Sequence, residues 1–375
     1  MKSKKKILAL LLALVMAFAL AACSSGTGDA GNSDAGTSGT GSSDAGNSDA
    51  GNASGETIEL TFSMHDPLTS NNGMFYENWA KQISEATNGG VNITIFGSGT
   101  LASGTDVVDM VSAGAVDIGW VYTSFFPNQY PLTDVITLVL EGFESPVATT
   151  KALWDLWEET PEMQAEWEEF QVLNLYGNPP AIICTKDSPV TTVADMAGRS
   201  LRCPSGMITS ALTAWGASPI NMTPGDIYQA LEKNNISGCI FEPAGITNFT
   251  LQEQLNYYTD MPLYEGPFVV VMNQAKWDCL PAEYQEVIMS FCGREGSLAA
   301  AEDFATAAEA AEQVMIDAGG EYVPVSDEAY AEFQAATTEL SAQWAESITT
   351  DTFDGQAFLD RARELVAQYN AEEAA

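Results

Sequence analysis

Basic side chains are scarce in this sequence. Its 375 residues include 14 lysines and arginines against 51 aspartates and glutamates, which gives a formal net charge of −37. So few cations leave no basic surface for a phosphate backbone, and this excludes nucleic acid as a natural partner. Repulsion of other anions is screened over about 8 Å at physiological ionic strength, so one well-placed arginine can still bind an anion.

Histidine and the common catalytic motifs are also scarce or missing. His65 is the single histidine, no serine stands in G-x-S-x-G, and no G-x-x-x-x-G-K-[ST] occurs. Triad hydrolysis and P-loop phosphate binding are therefore disfavoured, whereas paired carboxylates for glycoside hydrolysis stay open because acids occur throughout.

Cysteine spacing argues against structural zinc. The cysteines that follow Cys23 are odd in number, and no two stand in C-x-x-C. We expect most of them to be small buried apolar side chains, with one unassigned disulfide as an alternative. They are Cys184, Cys203, Cys239, Cys279 and Cys292.

The N-terminus reads as an export signal over residues 1–22. Four lysines among the first six residues precede an apolar run, residues 7–22, that is shorter than the ~20 residues of a membrane-spanning helix. The run ends in Leu20-Ala21-Ala22-Cys23, which resembles the bacterial lipobox and implies cleavage before a lipidated Cys23. The alternative is an ordinary signal peptide with an incidental cysteine. Lipidation would hold the chain on the outer face of the cytoplasmic membrane.

Residues 23–56 are predicted to be a flexible tether behind that cysteine. They consist almost entirely of Gly, Ser, Thr, Asn, Asp and Ala, with a recurring Asp-Ala-Gly triplet. Such a segment cannot bury a core, and as a random coil it would span roughly 30 Å. Loss of the four leader lysines would change the net charge of the mature chain from −37 to −41.

From residue 57 onwards the apolar periodicity predicts an α/β protein. Strands at 57–64, 91–96 and 116–121 alternate with helices that begin near Asn71 and Val107, and this βαβαβ order favours a mainly parallel sheet. Ligands of such sheets bind beyond the carboxyl ends of the strands. A helix that Pro161 opens and a strand at 172–176 precede a second α/β series, with strands predicted at 181–185, 200–203, 219–222 and 237–241 and helices near 206–215 and 225–233. Beyond it, strands are predicted at 266–273 and 321–325, a long helix at 295–318, and two amphipathic helices near 327–347 and 354–369.

Six short motifs occur in order within residues 57–345. They are GAVDIG (114–119), PLTD (131–134), VADMAGRSLRCP (193–204), GASP (216–219), DIYQAL (226–231) and VMN with LP (271–273 and 280–281). Together they resemble the DctP-like substrate-binding proteins of tripartite ATP-independent periplasmic (TRAP) transporters, and the ordered set is far more specific than any one motif alone.

The resemblance implies a two-domain periplasmic-binding-protein-like fold with an interdomain cleft and a long domain-spanning helix. We expect domain I at 57–177 plus about 265–305, domain II at 178–264 plus about 306–345, and a C-terminal helix at 346–375. The family implies that the cleft closes on a small organic anion, commonly a carboxylate. Small and large TRAP membrane subunits would receive that ligand, with no cofactor and no ATP.

The resemblance also implies an anchor for the carboxylate. Arg202 occupies the position of the family's R-x-P arginine, and its planar fork of donors matches a carboxylate with two parallel hydrogen bonds. The alternative is pairing with a structural acid, which 51 acids make easy. Arg199, three residues earlier, is expected to be solvated.

Glu242 stands at the end of another predicted strand and keeps several roles open. It could be solvated, accept a ligand hydroxyl or amine, hold a bridging cation such as calcium or sodium, or pair with Arg202 in an empty cleft. The candidate apolar walls are Phe241, Trp120, Tyr122 and Phe268. His65 follows the first strand, where it is either a cleft residue or an ordinary turn residue.

Two departures from the family weaken any inference about ligand identity. The region 175–180 lacks the second arginine that many members carry, and Phe241-Glu242-Pro243 replaces their asparagine or tryptophan. Two rival functions also remain at this point. A binding-only lipoprotein that serves a sensor would share every residue above, and an extracellular hydrolase would have to use His65 or Glu242.

Overall fold

The computed structural model describes residues 57–375. The predicted signal peptide (1–22) and the segment 23–56, with the predicted lipidation site Cys23 and the predicted tether, lie outside the described residues. Within the described part, no helix is both long and apolar enough to cross a membrane.

Two β-sheets surrounded by helices make up the described chain. The strands are β1 (Ile58–Ser63), β2 (Val91–Phe96), β3 (Ile118–Tyr122), β4 (Phe170–Gly177), β5 (Ile182–Thr185), β6 (Ser200–Cys203), β7 (Ser218–Asn221), β8 (Gly238–Phe241), β9 (Tyr257–Asp260), β10 (Pro267–Asn273) and β11 (Glu321–Pro324). The helices are α1 (Asn71–Ala86), α2 (Val107–Ser112), α3 (Pro146–Glu159), α4 (Pro161–Ala165), α5 (Met207–Ala214), α6 (Pro224–Glu232), α7 (Pro243–Asn248), α8 (Gln274–Asp278), α9 (Ala282–Met289), α10 (Gly293–Asp317), α11 (Asp327–Ile348) and α12 (Gly355–Glu373).

The first sheet has the strand order β2-β1-β3-β10-β4. β1 pairs in parallel with β2 and β3, as the βαβαβ pattern predicts, but β10 runs antiparallel to both β3 and β4. The sheet is therefore mixed, which corrects the expectation of a mainly parallel one. The chain leaves the first sheet at the end of β4, forms most of the second sheet and then returns. β10 therefore begins beside Gly177, the last residue of β4, and runs in the opposite direction.

Helix α3 is a further difference from the sequence prediction, which placed a helix only from Pro161. Ser145 caps α3 by accepting a hydrogen bond from the Ala148 amide, and Pro146 occupies its first turn, as both residues prefer. The helix that Pro161 opens is the short α4. α3 buries Leu153 in the core beneath the first sheet.

The second sheet has the order β11-β9-β5-β8-β6-β7. β6 lies between β7 and β8 and pairs with both in parallel, so the carboxyl ends of these three strands meet at one edge. β9, which the sequence analysis did not predict, joins β5 and β11. This arrangement places Arg202 of β6 opposite Cys239 of β8. Phe241 is the last residue of β8, and Glu242 directly follows it.

Two long helices connect the cores of both sheets. α10 has 25 residues and a length of about 37 Å at 1.5 Å per residue. Its Phe304 packs in the core of the first sheet, while Met315 near its end packs in the core of the second. α11 runs the other way, since Phe333 lies in a core of the second sheet and Trp344 in a core of the first. α12 then packs back onto α3.

Besides these two helices, two neighbouring strand-to-strand segments also cross between the sheets. One joins β4 to β5, and the other joins β9 to β10. The Asn178 amide donates to the Gly266 carbonyl at 3.1 Å, and the Ala181 amide donates to the Tyr264 carbonyl at 2.9 Å. The two crossing segments are thus hydrogen-bonded to each other where they pass between the sheets.

We expect Gly238→Ala to destabilise the strand that carries Phe241 and Glu242. A methyl group at Gly238 would lie 2.2 Å from the Cys184 carbonyl oxygen and 3.0 Å from the Thr185 Cα. Overpacking against backbone costs about 1–3 kcal/mol. For residues 57–375, with an unfolding entropy of about 2.1 cal/mol/K per residue, this lowers the Tm by roughly 1.5–5 °C. Thermal unfolding measures the change. Gly225→Ala is the matched control, since no atom lies within 4 Å of its new methyl, and equal Tm values for both variants would contradict the expectation.

Candidate functional site

A narrow, partly enclosed cavity lies between the two sheets, and the space open to the centre of a water-sized sphere is about 30 Å³. Side chains from both sheets line it. The loops and strands of the first sheet contribute His65, Asp66, Tyr122 and Phe268, and those of the second contribute Arg202, Phe241 and Glu242. Six of the seven side chains that the sequence analysis proposed for the site therefore meet here.

Arg202 is buried at the carboxyl end of β6, with 1% of its surface exposed. Its Nε donates to the Met222 carbonyl at 2.9 Å, and its Nη1 donates to the Ile240 carbonyl at 3.2 Å. The guanidinium carbon lies 5.0 Å from the centre of the Phe241 ring. Within residues 57–375 it forms no ion pair with a carboxylate, and Nη2 has no protein acceptor. The backbone thus orients the guanidinium without neutralising its charge.

Glu242 occupies the N-cap position of α7 and is 3% exposed. Its Oε2 has no hydrogen-bond partner among the described residues, and it forms no ion pair with Arg202 there. Burial, with a smaller contribution from the nearby Asp66 carboxyl, raises the pKa of Glu242 to about 8, against the opposing effects of the Gly245 and Ala244 backbone amides and of Arg202. Glu242 therefore holds a proton through much of the neutral range, and it is not solvated.

His65 and Asp66 follow β1 and face the same cavity. Burial, with a smaller contribution from Arg202, lowers the pKa of His65 to about 3, so the imidazole is neutral at physiological pH. Its Nε2 lies 3.8 Å from Asp66 Oδ1, and its Nδ1 has no partner in the described chain. Asp66 accepts a hydrogen bond from Asn72 at 3.1 Å, and burial raises its pKa to about 6.

Stacked aromatic rings form the wall that the first sheet contributes. The ring of Phe268 stacks on Tyr122 at 4.9 Å and on Trp120 at 4.3 Å between centroids. Trp120 also stacks on His65 at 4.6 Å, but it lies behind the cavity instead of lining it. Its indole donates to the Tyr176 hydroxyl at 2.7 Å, which holds it in the layer beneath. Trp120 thus supports the wall that it was expected to form.

Sequence reasoning missed lining residues that come from the crossing segments and from α10. These are Asn178, Tyr264 and Phe304. Asn178 Oδ1 accepts from the Gly266 amide at 2.5 Å, which fixes the side chain at the crossing. Asn178 directly follows β4, so the rule that ligands meet strand ends could have found it. No local pattern indicates Phe304, because α10 reaches the cavity only through tertiary packing.

Two hydrogen bonds join segments attached to different sheets. The Ser205 hydroxyl donates to the Ser124 carbonyl, and the Asn248 amide donates to Asn71 Oδ1 at 3.0 Å. None of these four residues lines the cavity. Arg199, expected to be solvated, instead donates to the Ser188 and Pro189 carbonyls outside the cavity.

The donor set gives little support for a metal. In the described part of the chain, no group of three or more His, Cys, Asp or Glu side chains is arranged to hold a metal ion. Asp66 and Glu242 are the two acids at the cavity. The five cysteines within residues 57–375 are free, and Cys279 is the exposed one among them.

Comparison with known proteins gives a consistent family. The model for bacterial extracellular solute-binding protein family 7, DctP, matches residues 62–347. The monocarboxylate 2-oxoacid-binding periplasmic protein of a Nostoc species is 26% identical over 309 residues, which cover 79% of this chain and 78% of that protein.

Solved structures agree with that match. A marine metagenome TRAP solute-binding protein specific for aromatic acid ligands, bound to metahydroxyphenylacetate, is 27% identical with a TM-score of 0.79, covering 84% of this chain and 99% of that one. A TRAP periplasmic solute-binding protein of Bordetella bronchiseptica, bound to mandelate, is 25% identical with a TM-score of 0.77, covering 83% and 99%.

The raised pKa of Glu242 predicts a pH-dependent cost in stability. Between its ordinary 4.5 and about 8, the folded protein retains a proton that the unfolded chain has released. Glu242 therefore lowers the free energy of unfolding progressively as the pH rises through this range. We expect Glu242→Gln to leave the Tm close to that of wild type at pH 5 and to raise it at pH 8.

Thermal unfolding at both pH values tests this, with the wild type measured alongside so that other titrating groups cancel. Glu85→Gln serves as the control, because Glu85 is an exposed helix acid whose side chain retains 67% of its accessible surface. A Tm difference between Glu242→Gln and wild type that does not grow with pH would contradict the assignment.

Proposed function

The chain belongs to the DctP family of bacterial extracellular solute-binding proteins, and on that premise we propose that it captures a small organic carboxylate for a TRAP transporter. The observation that carries the proposal is Arg202. Its guanidinium is buried at the cavity, is oriented by two backbone carbonyls and lacks a protein carboxylate among the described residues. A ligand carboxylate would complete its hydrogen bonds and neutralise its charge.

The aromatic wall favours a ligand with a flat apolar body. Phe241, Phe268 and Tyr122 present ring surfaces to the cavity, and ligand pockets commonly combine such surfaces with a few polar groups. Similar proteins bind metahydroxyphenylacetate and mandelate. An aromatic monocarboxylate is therefore the first ligand class to test.

The two lobes around the cavity are proposed to be residues 57–177 with about 265–305, and residues 178–264 with about 306–345. Sheet membership supports this division, since β1 to β4 and β10 form one sheet and β5 to β9 and β11 form the other. The C-terminal segment 346–375 would belong with the first lobe, because α12 packs on α3.

Transfer to small and large membrane subunits is part of the proposal, as the family implies. A binding protein that serves a sensor would use the same cavity. The two functions are distinguished by measuring whether cells take up the ligand only when the membrane subunits are present, which is the result expected for transport. A hydrolase has less support, since family members bind substrates for transport. In the part of the chain that the structure describes, His65 hydrogen-bonds to no serine.

We expect Arg202→Ala to weaken carboxylate binding at least about 30-fold, because loss of one partner of a buried charged pair costs about 2–5 kcal/mol. Isothermal calorimetry with 3-hydroxyphenylacetate and mandelate measures the affinity, after a thermal-shift screen of organic acids selects the stronger ligand. Arg202→Lys, which keeps the charge but loses the planar fork, should fall between wild type and alanine.

The matched control for that series is Arg199→Ala. Arg199 lies three residues earlier, just before β6, but its side chain is bound to Ser188 and Pro189 outside the cavity. The affinity of the Arg199→Ala variant for the acid should equal that of the wild type. Unchanged affinity in a folded Arg202→Ala variant would remove the basis of the proposed function.

Anchoring through a lipid on Cys23 is also proposed, supported by the Leu20-Ala21-Ala22-Cys23 sequence. We expect the wild-type protein to sediment with membranes and to incorporate labelled palmitate, and Cys23→Ala to lose both properties. Cys279→Ala is the control, because Cys279 is an exposed cysteine of the folded part, and it should behave as wild type. Membrane association that survives Cys23→Ala would contradict the anchor.

A further inference from the structure

Two buried polar atoms at the cavity have no hydrogen-bond partner in the described chain, namely Glu242 Oε2 and His65 Nδ1. Both residues line the cavity. More than about 90% of buried polar atoms in folded proteins are hydrogen-bonded, and an unsatisfied one destabilises the protein. These atoms therefore need a partner from within the cavity.

The chemistry of His65 indicates what that partner must offer. The imidazole is neutral, so one ring nitrogen donates and the other accepts. Nε2 faces the Asp66 carboxyl at 3.8 Å, and an acceptor at that position favours the tautomer with the proton on Nε2. Nδ1 is then left as an acceptor, and only a hydrogen-bond donor can satisfy it.

The charges around the cavity lead in the same direction. Of the described lining residues, Arg202 is the cation, whereas Asp66 and Glu242 are acids. A carboxylate that binds Arg202 uses the available donors and adds a further negative charge. The Glu242 side of the cavity then presents a carboxyl group, which in its protonated form can both donate and accept, and a ring nitrogen that accepts. A ligand group that carried only acceptors there would leave the ring nitrogen of His65 unsatisfied.

We propose, on the basis of the function proposed above, that the ligand carries a hydrogen-bond-donating group in addition to its carboxylate, and that Glu242 determines this specificity. The carboxylate binds Arg202, and a hydroxyl or ammonium group donates to Glu242, with His65 as a second acceptor. A hydroxyl and an ammonium group both donate a hydrogen bond, and the experiment below distinguishes between them.

The experiment compares acids that differ by one group. Calorimetry is carried out on the purified full-length protein with phenylacetate, mandelate and phenylglycine, which carry hydrogen, hydroxyl and ammonium on the same carbon. 3-Hydroxyphenylacetate places the hydroxyl on the ring instead. Propionate, lactate and alanine repeat the first series without the ring. We expect at least one donor-bearing acid to bind about tenfold or more tightly than its unsubstituted partner.

Two variants assign that preference to Glu242. Glu242→Leu should reduce the preference to about unity while the unsubstituted acid still binds. Glu242→Gln keeps size and hydrogen bonding but cannot be charged, so it should preserve a preference for hydroxyl and reduce a preference for ammonium. Glu265→Leu is the matched control, since Glu265 is a buried, unpartnered glutamate that does not line the cavity, and it should leave the affinity ratio unchanged.

The outcomes separate this inference from the proposed function. If no acid of either series binds, carboxylate capture itself fails and the inference fails with it. If unsubstituted acids bind as tightly as their donor-bearing partners, carboxylate capture stands and the inference is overturned. A preference that survives in folded Glu242→Leu would also overturn the role of Glu242.

Discussion

The buried guanidinium of Arg202 is the constraint on which the rest of the structure depends. Taking a cation out of water costs several kcal/mol unless other groups compensate it. Here the parallel strands around β6 supply two carbonyls and Phe241 supplies a ring face, while the described residues supply no paired carboxylate. Nearby acids do not take that role, because Glu242 is held largely protonated and Asp66 is bound to Asn72. The fold thus keeps one positive charge available for an anion that enters from outside.

The sequence predicted the elements that have strong periodicity and missed those that lack it. Residues 57–64 alternate cleanly and form β1, and the alanine-rich run forms α10. β9, Tyr257–Asp260, is short and polar at one end, so it resembled a loop. The direction of β10 could not be deduced, since strand direction after a long excursion through a second sheet depends on tertiary packing. Helix α3 carries a Ser145-Pro146 start signal that was present in the sequence and was overlooked.

The site was predictable in so far as it lies at strand ends. Arg202, Glu242 and Tyr122 were placed by that rule, together with the family resemblance. Phe304 comes from the middle of a helix, and no local sequence pattern points to it. Trp120 and Tyr122 share a face of β3, yet only the residue nearer the strand end reaches the cavity. The protonation of Glu242 was also out of reach, because it results from burial that only the assembled lobes create.

The hydrogen bonds that join segments of the two sheets, from Ser205 to Ser124 and from Asn248 to Asn71, link uncharged groups. Each contributes about 0.5–1.5 kcal/mol net, so the two bonds oppose a separation of the lobes only weakly. The ligand proposed above would contact Arg202 on one side of the cavity and the aromatic wall on the other. Its binding free energy would then add directly to the free energy that holds the lobes together.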